Sequence, residues 1–274
     1  MSYQPFKTIS PPKKLPLPNF VELWHYRYLA FYLAWRDVKA RFQQTVLGPL
    51  WPLVEPIMLM LVFTFVFGTI AEMPSDGVPY PLFTFSALVP WTLFANGLTR
   101  MTTSLTTNAN LITKISFPRL LLPLSSLLAT LFELVVSLGV LFALMLAFGY
   151  PLTARLLALV PLTLLGMLAT VGLGCAFAAM NARFRDVGNG VGILLRVVLY
   201  LTPVAYASSV LPTPWDTLYL FNPIAGVIDG FRWALLGSML AANALIASVG
   251  ISSVLLVVGV LFFLKSDADL ADVV

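Results

Sequence analysis

Residues 120–148 read LLLPLSSLLATLFELVVSLGVLFALMLAF, a stretch whose single ionisable residue is Glu133. A helix needs about 20 consecutive apolar residues to cross a hydrocarbon core of about 30 Å, and this run supplies them. Composition carries the reading to the rest of the chain. Of its 274 residues, 59% are hydrophobic and 10% are charged, against about 25% charged in an ordinary soluble domain. So few charges cannot cover a soluble surface of this size, so lipid must cover part of it.

Working outward, the same pattern recurs. The run 120–148 is the third of six expected spans. The others are Leu50–Ala71, Tyr80–Thr103, Leu156–Met180, Val187–Tyr206 and Ala244–Leu264. The fold expected is therefore an all-α polytopic membrane protein with six transmembrane helices. Basic residues set its orientation, because cytoplasmic loops retain Lys and Arg. Thirteen of the 16 Lys/Arg fall on the N-terminal segment, the second-to-third and fourth-to-fifth loops and the C-terminal tail, counting Arg100. Arg155 and Arg232 fall on the other side, and Arg196 lies within a span. Both termini are thus expected in the cytoplasm. The net charge of +4 follows membrane topology and forms no nucleic-acid patch.

Residues 1–19 hold Pro5, Pro11, Pro12, Pro16 and Pro18 and predict an extended cytoplasmic tail; residues 265–274 predict an acidic one. Asn19 with Glu22 predicts a capping box opening a helix from Phe20 to about Gln44. Its second half carries too much charge to span, and its aromatics (Phe20, Trp24, Tyr28, Phe31, Tyr32, Trp35) suit a helix lying in the membrane interface. A soluble helix packed on a partner is the alternative.

Residues 207–243 are moderately apolar but broken by Pro212, Pro214 and Pro223. Asn222 and Pro223 predict a helix ending before Gly237, with Asp229 and Arg232 spaced to pair on one face. At about 1.5 Å per residue it reaches only about 21 Å. It predicts short re-entrant helices before the last span, with an external loop helix as the alternative. If that pair is what matters, exchanging its charges should recover part of the function.

The chemical inventory is sparse. There is no G-x-x-x-x-G-K-[ST], H-E-x-x-H or G-x-S-x-G. One cysteine, Cys175, and one histidine, His25, exclude an internal disulfide and the usual zinc ligand sets. Three ionisable residues lie in spans: Glu55, close to an end, and Glu133 and Arg196, deeper. The last two differ in depth by about 6 Å, so they could pair with each other; facing a pore is the alternative. Gly166, Thr170, Gly174 and Ala178, then Gly188 and Gly192, recur every four residues and allow close helix contact, within or between subunits.

Four stretches in order, RDVKARFQQTVLGPLWPLVEP (36–56), LITKISFPRLLLP (111–123), NARFRDV (181–187) and NPIAGVIDGFRWALLG (222–237), resemble ABC-2 type exporter permeases. The likeness is greatest to the branch that exports O-antigen, capsule or teichoic acid polymers, and it covers residues 20–264 as one transmembrane domain. The resemblance implies a homodimer in the bacterial inner membrane, contacting membrane lipid and a lipid-linked polysaccharide, with ATP bound by separate ATPase subunits and no cofactor in this chain. It implies that Asn108, Lys114, Phe117 and Arg119 belong to a coupling helix docking on the ATPase. It also implies gate helices containing Asn222, Pro223, Asp229, Arg232 and Trp233. Aromatic faces suit a sliding glycan, because they offer apolar surface with few directional bonds. Trp51, Phe63, Phe67, Phe85, Trp91, Phe94, Tyr200 and Tyr206, with Arg196, are the candidate path residues. An ABC-2 exporter of a drug or small lipid, a proton-coupled transporter and a membrane-embedded transferase remain the alternatives.

The count of bases generates a topology prediction. Cysteines introduced as Ser2→Cys, Asp76→Cys and Asp272→Cys are to be probed on intact cells with an impermeant thiol reagent. Only position 76 should label; labelling at 272 without permeabilisation would overturn the orientation.

Overall fold

A computed structural model describes residues 18–43 and 45–270; the expected tails at 1–17 and 271–274 lie outside the described residues. The helices are α1 (Phe20–His25), α2 (Arg27–Phe42), α3 (Trp51–Phe63), α4 (Tyr80–Thr107), α5 (Ala109–Lys114) and α6 (Leu121–Ala147). They continue as α7 (Leu159–Arg183), α8 (Asp186–Leu201), α9 (Trp215–Leu218), α10 (Ala225–Leu236) and α11 (Ala242–Leu270). No strand occurs among the described residues. Five helical segments are long and apolar enough to cross a membrane: Trp51–Ile70, Tyr80–Thr107, Leu121–Ala147, Ala154–Arg183 and Ala242–Asp267.

Helix α4 is the axis, packing against α3, α6, α7, α8 and α10. Its most apolar window is 78% buried, against 17–39% in the other four segments, and its mean hydropathy is the lowest, 1.2. The two facts belong together. A helix surrounded by protein need not be apolar all round, provided its polar groups are satisfied. Thr84, Ser86, Thr102 and Ser104 are buried, and each hydroxyl donates to a carbonyl one turn back, at 2.7–2.8 Å.

Glycines let backbones meet. A Cβ on Gly259 of α11 would stand 1.8 Å from the Gly172 carbonyl oxygen of α7, and one on Gly174 would stand 2.6 Å from Met101 of α4. A Cβ on Gly97 of α4 would lie 2.9 Å from Thr170. The stripe on α7 therefore packs within the chain. The stripe on α8 does not continue this way: nothing lies within 4 Å of a Cβ on Gly192.

Several sequence expectations are corrected. The N-terminal helix breaks at Tyr26, and Asn19 caps it by accepting from Glu22 N at 3.2 Å, while Glu22 meets the Asn19 side chain and not its backbone. The expected fifth span is a 16-residue helix, about 24 Å at ~1.5 Å per residue. It stops because Thr202 precedes Pro203 and is forced to an extended conformation, ψ 143°. Helix α10 starts at Ala225, two residues later than expected, because Asn222 and Pro223 form a turn closed by Ala225 N on Asn222 O at 3.1 Å. Gly237 at φ 74° ends it. Helix α11 runs on to Leu270, so residues 265–270 of the expected tail are helical.

Contacts define two ends of the bundle. At one, Arg36 of α2 meets Asn108, Asn181 meets Thr106, and Arg119 meets Asp267 at the far end of α11. At the other, the Tyr80 hydroxyl donates to Ala205 O and Gly226 N donates to Ser248 Oγ near the start of α11. The chain between Arg183 and Ala242 must therefore pass from the first end to the second, and α8 with the turn after it makes that passage.

The glycine contact yields a stability prediction. Gly259→Ala should lower stability by about 1–3 kcal/mol or more, read as thermal unfolding of the detergent-solubilised protein. Gly139→Ala, where nothing lies within 4 Å of the added atom, should leave it unchanged or slightly raised. Equal behaviour of the two would contradict the packing described.

Candidate functional site

Two polar clusters interrupt the apolar bundle, one towards each end. The first is built on Glu133 of α6, 7% exposed. Arg41 of α2 donates to its carboxylate through Nη1 at 2.5 Å, Arg100 of α4 donates through Nη2, and Asn96 donates at 3.2 Å. The approach of α2 is made possible by small side chains: Ala34 and Val38 seat against Ala129 of α6, with Phe42 on Phe132. The large aromatics Phe20, Trp24, Tyr28, Phe31, Tyr32 and Trp35 face outward. Beside the carboxylate lies a polar crevice of about 360 Å³ lined by Asp37, Arg41, Asn96, Arg100, Thr103 and Asn108, among others.

The expected Glu133–Arg196 pair does not form. Glu133 faces α2 and α4, whereas Arg196 lies on the outer face of α8 with Asn189, Ile193 and Tyr200, all exposed. Val191 and Leu195 turn the opposite face inward.

The second cluster is built on α10. Asp229 and Arg232 are both buried and stand 4.0 Å apart. The pairing expected from their spacing is present, but at the limit of an ion pair, and each has a closer partner. Tyr219 donates its hydroxyl to Asp229. Burial and the adjacent Asp229 carboxylate push the Tyr219 phenol above its ordinary range, so it remains a donor. Arg232 donates to Val204 O at 3.0 Å and Tyr206 O at 3.4 Å, and lies 3.6 Å over the Phe83 ring. An aspartate at 232 has no hydrogen for those carbonyls, so exchanging the two charges would not rebuild the site. Asn222 ties this region to the end of α8 through Thr202 Oγ1 at 2.8 Å, and Trp233 receives the Arg155 guanidinium at 5.9 Å. Pro223 lines an apolar crevice of about 510 Å³ that also contains Phe94, Tyr206 and Phe177.

The other expected site residues are scattered. Phe63 brings Phe67 (5.6 Å) and Tyr200 (6.2 Å) together, and Trp51 is exposed. Phe85 and Trp91 are enclosed in the core of their own chain. In the loop after α4, Lys114 is exposed. Asn108 accepts from Arg36 at 2.6 Å, Arg119 pairs with Asp267 at 3.3 Å, and Phe117 packs against the core around Leu33 and Leu122. Sequence reasoning missed Arg41, Arg100 and Asn96 as partners of Glu133, and Tyr219 and Phe83 as partners of the α10 pair. The one available signal was that Arg100 and Arg41 are bases close to the ends of apolar segments.

A protein-family model described as ABC-2 type transporter matches residues 28–236. The chain belongs to the ABC-2 type transporter family. Its similarity extends to O-antigen export system permease proteins RfbA. One from Klebsiella pneumoniae is 26% identical, over 87% of this chain and 92% of the relative. One from Myxococcus xanthus is 29% identical, over 86% and 91%. The polysialic acid transport protein KpsM of Escherichia coli is 24% identical, over 73% of this chain and 78% of that protein. As an ABC-2 protein with several apolar helices, the chain is a multi-pass membrane protein.

For this ABC-2 chain, Glu133→Ala leaves two guanidiniums without their shared carboxylate. Arg41 is nearly half exposed and Arg100 partly so, so the cost falls below the about 3–5 kcal/mol of breaking a fully buried pair. Thermal unfolding in nanodiscs should drop accordingly, and spin labels on α2 and α6 should report separation. Adding Arg100→Leu to Glu133→Ala should recover part of the loss; a double variant no better than additive would contradict the shared-carboxylate account.

Proposed function

We propose that the chain is the permease subunit of an ATP-driven exporter that moves a lipid-linked polysaccharide, such as O-antigen, across the bacterial inner membrane. The likeness to O-antigen permeases over nearly their whole length carries this reading. The permease works as a homodimer with a separate ATPase subunit; the chain has no G-x-x-x-x-G-K-[ST] of its own. Its path crosses the membrane six times, α8 and the turn after it making the fifth crossing, with both termini in the cytoplasm.

The face of α8 supports a paired arrangement. Arg196 is exposed in the single chain and has no ion-pair partner among the described residues. A charge on lipid at mid-membrane costs about 2.5–3.5 kcal/mol even on the lenient insertion scale. A second copy or an aqueous path along Asn189, Ile193, Arg196 and Tyr200 removes that cost. Near this face, Phe67 and Tyr200, seated on the buried Phe63, offer the ring surfaces a sliding glycan needs. Helices α9 and α10, too short to cross, close the outer end, and the exposed Lys114 on α5 meets the ATPase.

The test is genetic and biochemical. Deleting the gene should abolish surface polysaccharide and accumulate its lipid-linked form inside. Restoring the chain with Lys114→Glu should return the protein to the membrane with less co-purified ATPase and reduced export. Normal surface polysaccharide in the deletion strain refutes the reading.

A further inference from the structure

Between α9, α10, the start of α11 and the loop before α4 lies a cavity of about 710 Å³, inside the roughly 300–1,000 Å³ typical of small-ligand sites. Asp76, Asp216, Asp229 and Arg232 line it with Ser208, Ser209, Tyr219, Ser238 and Asn243. Leu220, Met239, Leu240 and three alanines share the wall with these hydrogen-bonding side chains, and three carboxylates face one guanidinium.

The carboxylates differ in availability. Asp229 is buried and held by Tyr219. Asp76 and Asp216 are exposed. Ser209 donates to Asp76 at 3.3 Å, and Asp216 is otherwise engaged only by its own turn, at Thr213 and Thr217. The guanidinium differs again. Arg232 is 3% exposed, its Nη atoms are committed to the Val204 and Tyr206 carbonyls, and its Nε has no partner. That Nε is enclosed and offers nothing to a ligand. A cavity with carboxylate acceptors, hydroxyls and an amide beside apolar surface matches a polyol, whose hydroxyls both give and accept and whose C–H faces are apolar.

We propose that this outer cavity binds sugar units of the exported polymer and selects neutral or amino-bearing sugars over carboxylate-bearing ones. The inference rests on the export reading above and deepens it. A sugar carboxylate entering here meets Asp76 and Asp216, which repel it, while Arg232, already bonded to two carbonyls, offers it no free fork. A neutral diol bridges an aspartate through two hydroxyls. An amine gains a charge-assisted bond to the same oxygens. The chain resembles both O-antigen permeases and a polysialic acid transport protein, and the charge of this cavity separates those two kinds of cargo in favour of the non-acidic one.

The experiment uses the permease with its ATPase in lipid nanodiscs and three probes: the trimers of N-acetylglucosamine, of glucosamine and of sialic acid. Binding is titrated by saturation-transfer NMR. The first two should bind, and the sialic acid trimer should bind at least about tenfold more weakly. Asp76→Asn with Asp216→Asn should abolish the preference for glucosamine and narrow the gap to sialic acid. Asp216→Asn alone should do so in part, and equal melting temperatures verify folding. Absence of saccharide binding, equal binding of the sialic acid trimer, or a ratio unmoved by both variants overturns the proposal. Surface polysaccharide in the deletion strain keeps the two readings apart. If it is lost while no trimer binds, the cavity inference fails and export stands. If it is retained, the export reading fails and the inference falls with it.

Discussion

A carboxylate buried in an apolar bundle must find its hydrogen bonds chiefly inside the protein, and Glu133 sets the arrangement of three helices by that requirement. It sits in the middle of α6, takes one guanidinium from α4 and one from α2, and fills its remaining capacity with Asn96. The Arg41 contact is the polar tether of α2 to the bundle at this level; around it the tie is made by small apolar residues, Ala34, Val38 and Ala129. A helix fixed this way is held by directional contacts at Arg36 and Arg41 and by an apolar seam that includes the buried Leu33, while its aromatic side stays outward.

The same requirement explains why α4 is the least apolar of the five long helices and the most enclosed. Its hydroxyls are spent on its own carbonyls, and Arg100 is spent on Glu133. Polar residues that would be intolerable against lipid are tolerable on an axis surrounded by α3, α6, α7, α8 and α10. Helix α11 shows the reverse, with high hydropathy and little burial, and it joins the bundle by backbone contact at Gly172 and Gly259.

How far this was legible in the sequence follows from which signals are local. Span existence is a matter of apolar run length, and the run around Glu133 reads correctly from its letters alone. Helix ends are local too, and Gly237 stops α10 as expected. The end of α8 was legible in principle, since Thr202 stands before Pro203, but the apolar letters continue to Tyr206 and hydropathy does not register a backbone restriction. Partners were not legible. Glu133 and Arg196 lie at compatible depths, yet depth says nothing of azimuth, and Arg196 looks away. Arg41, 92 positions before Glu133, reaches it only because α2 folds back on α6, which no periodicity encodes. In the same way the spacing of Asp229 and Arg232 placed them on one face but could not reveal Tyr219, Phe83 and the carbonyls that hold them more closely.

Those carbonyls give the cluster around α10 its meaning. A helix that stops inside a membrane protein leaves backbone oxygens without partners, and the break at Pro203 does so for the residues after α8. Arg232 takes Val204 O and Tyr206 O, and Tyr80 takes Ala205 O. Asn222 takes the Thr202 hydroxyl. The broken end of α8 is thus rebuilt from α10, α4 and the turn before α10. Arg232 is therefore less an ion-pair partner than the anchor of the turn that follows α8, and its charge is balanced by Asp229 so that it can be buried while doing so. The consequence is mechanical. Helix α10 cannot move away from the turn after α8 without stripping the Arg232 donors from Val204 O and Tyr206 O, so α10 and the end of α8 that carries Arg196 and Tyr200 must shift as one unit or not at all.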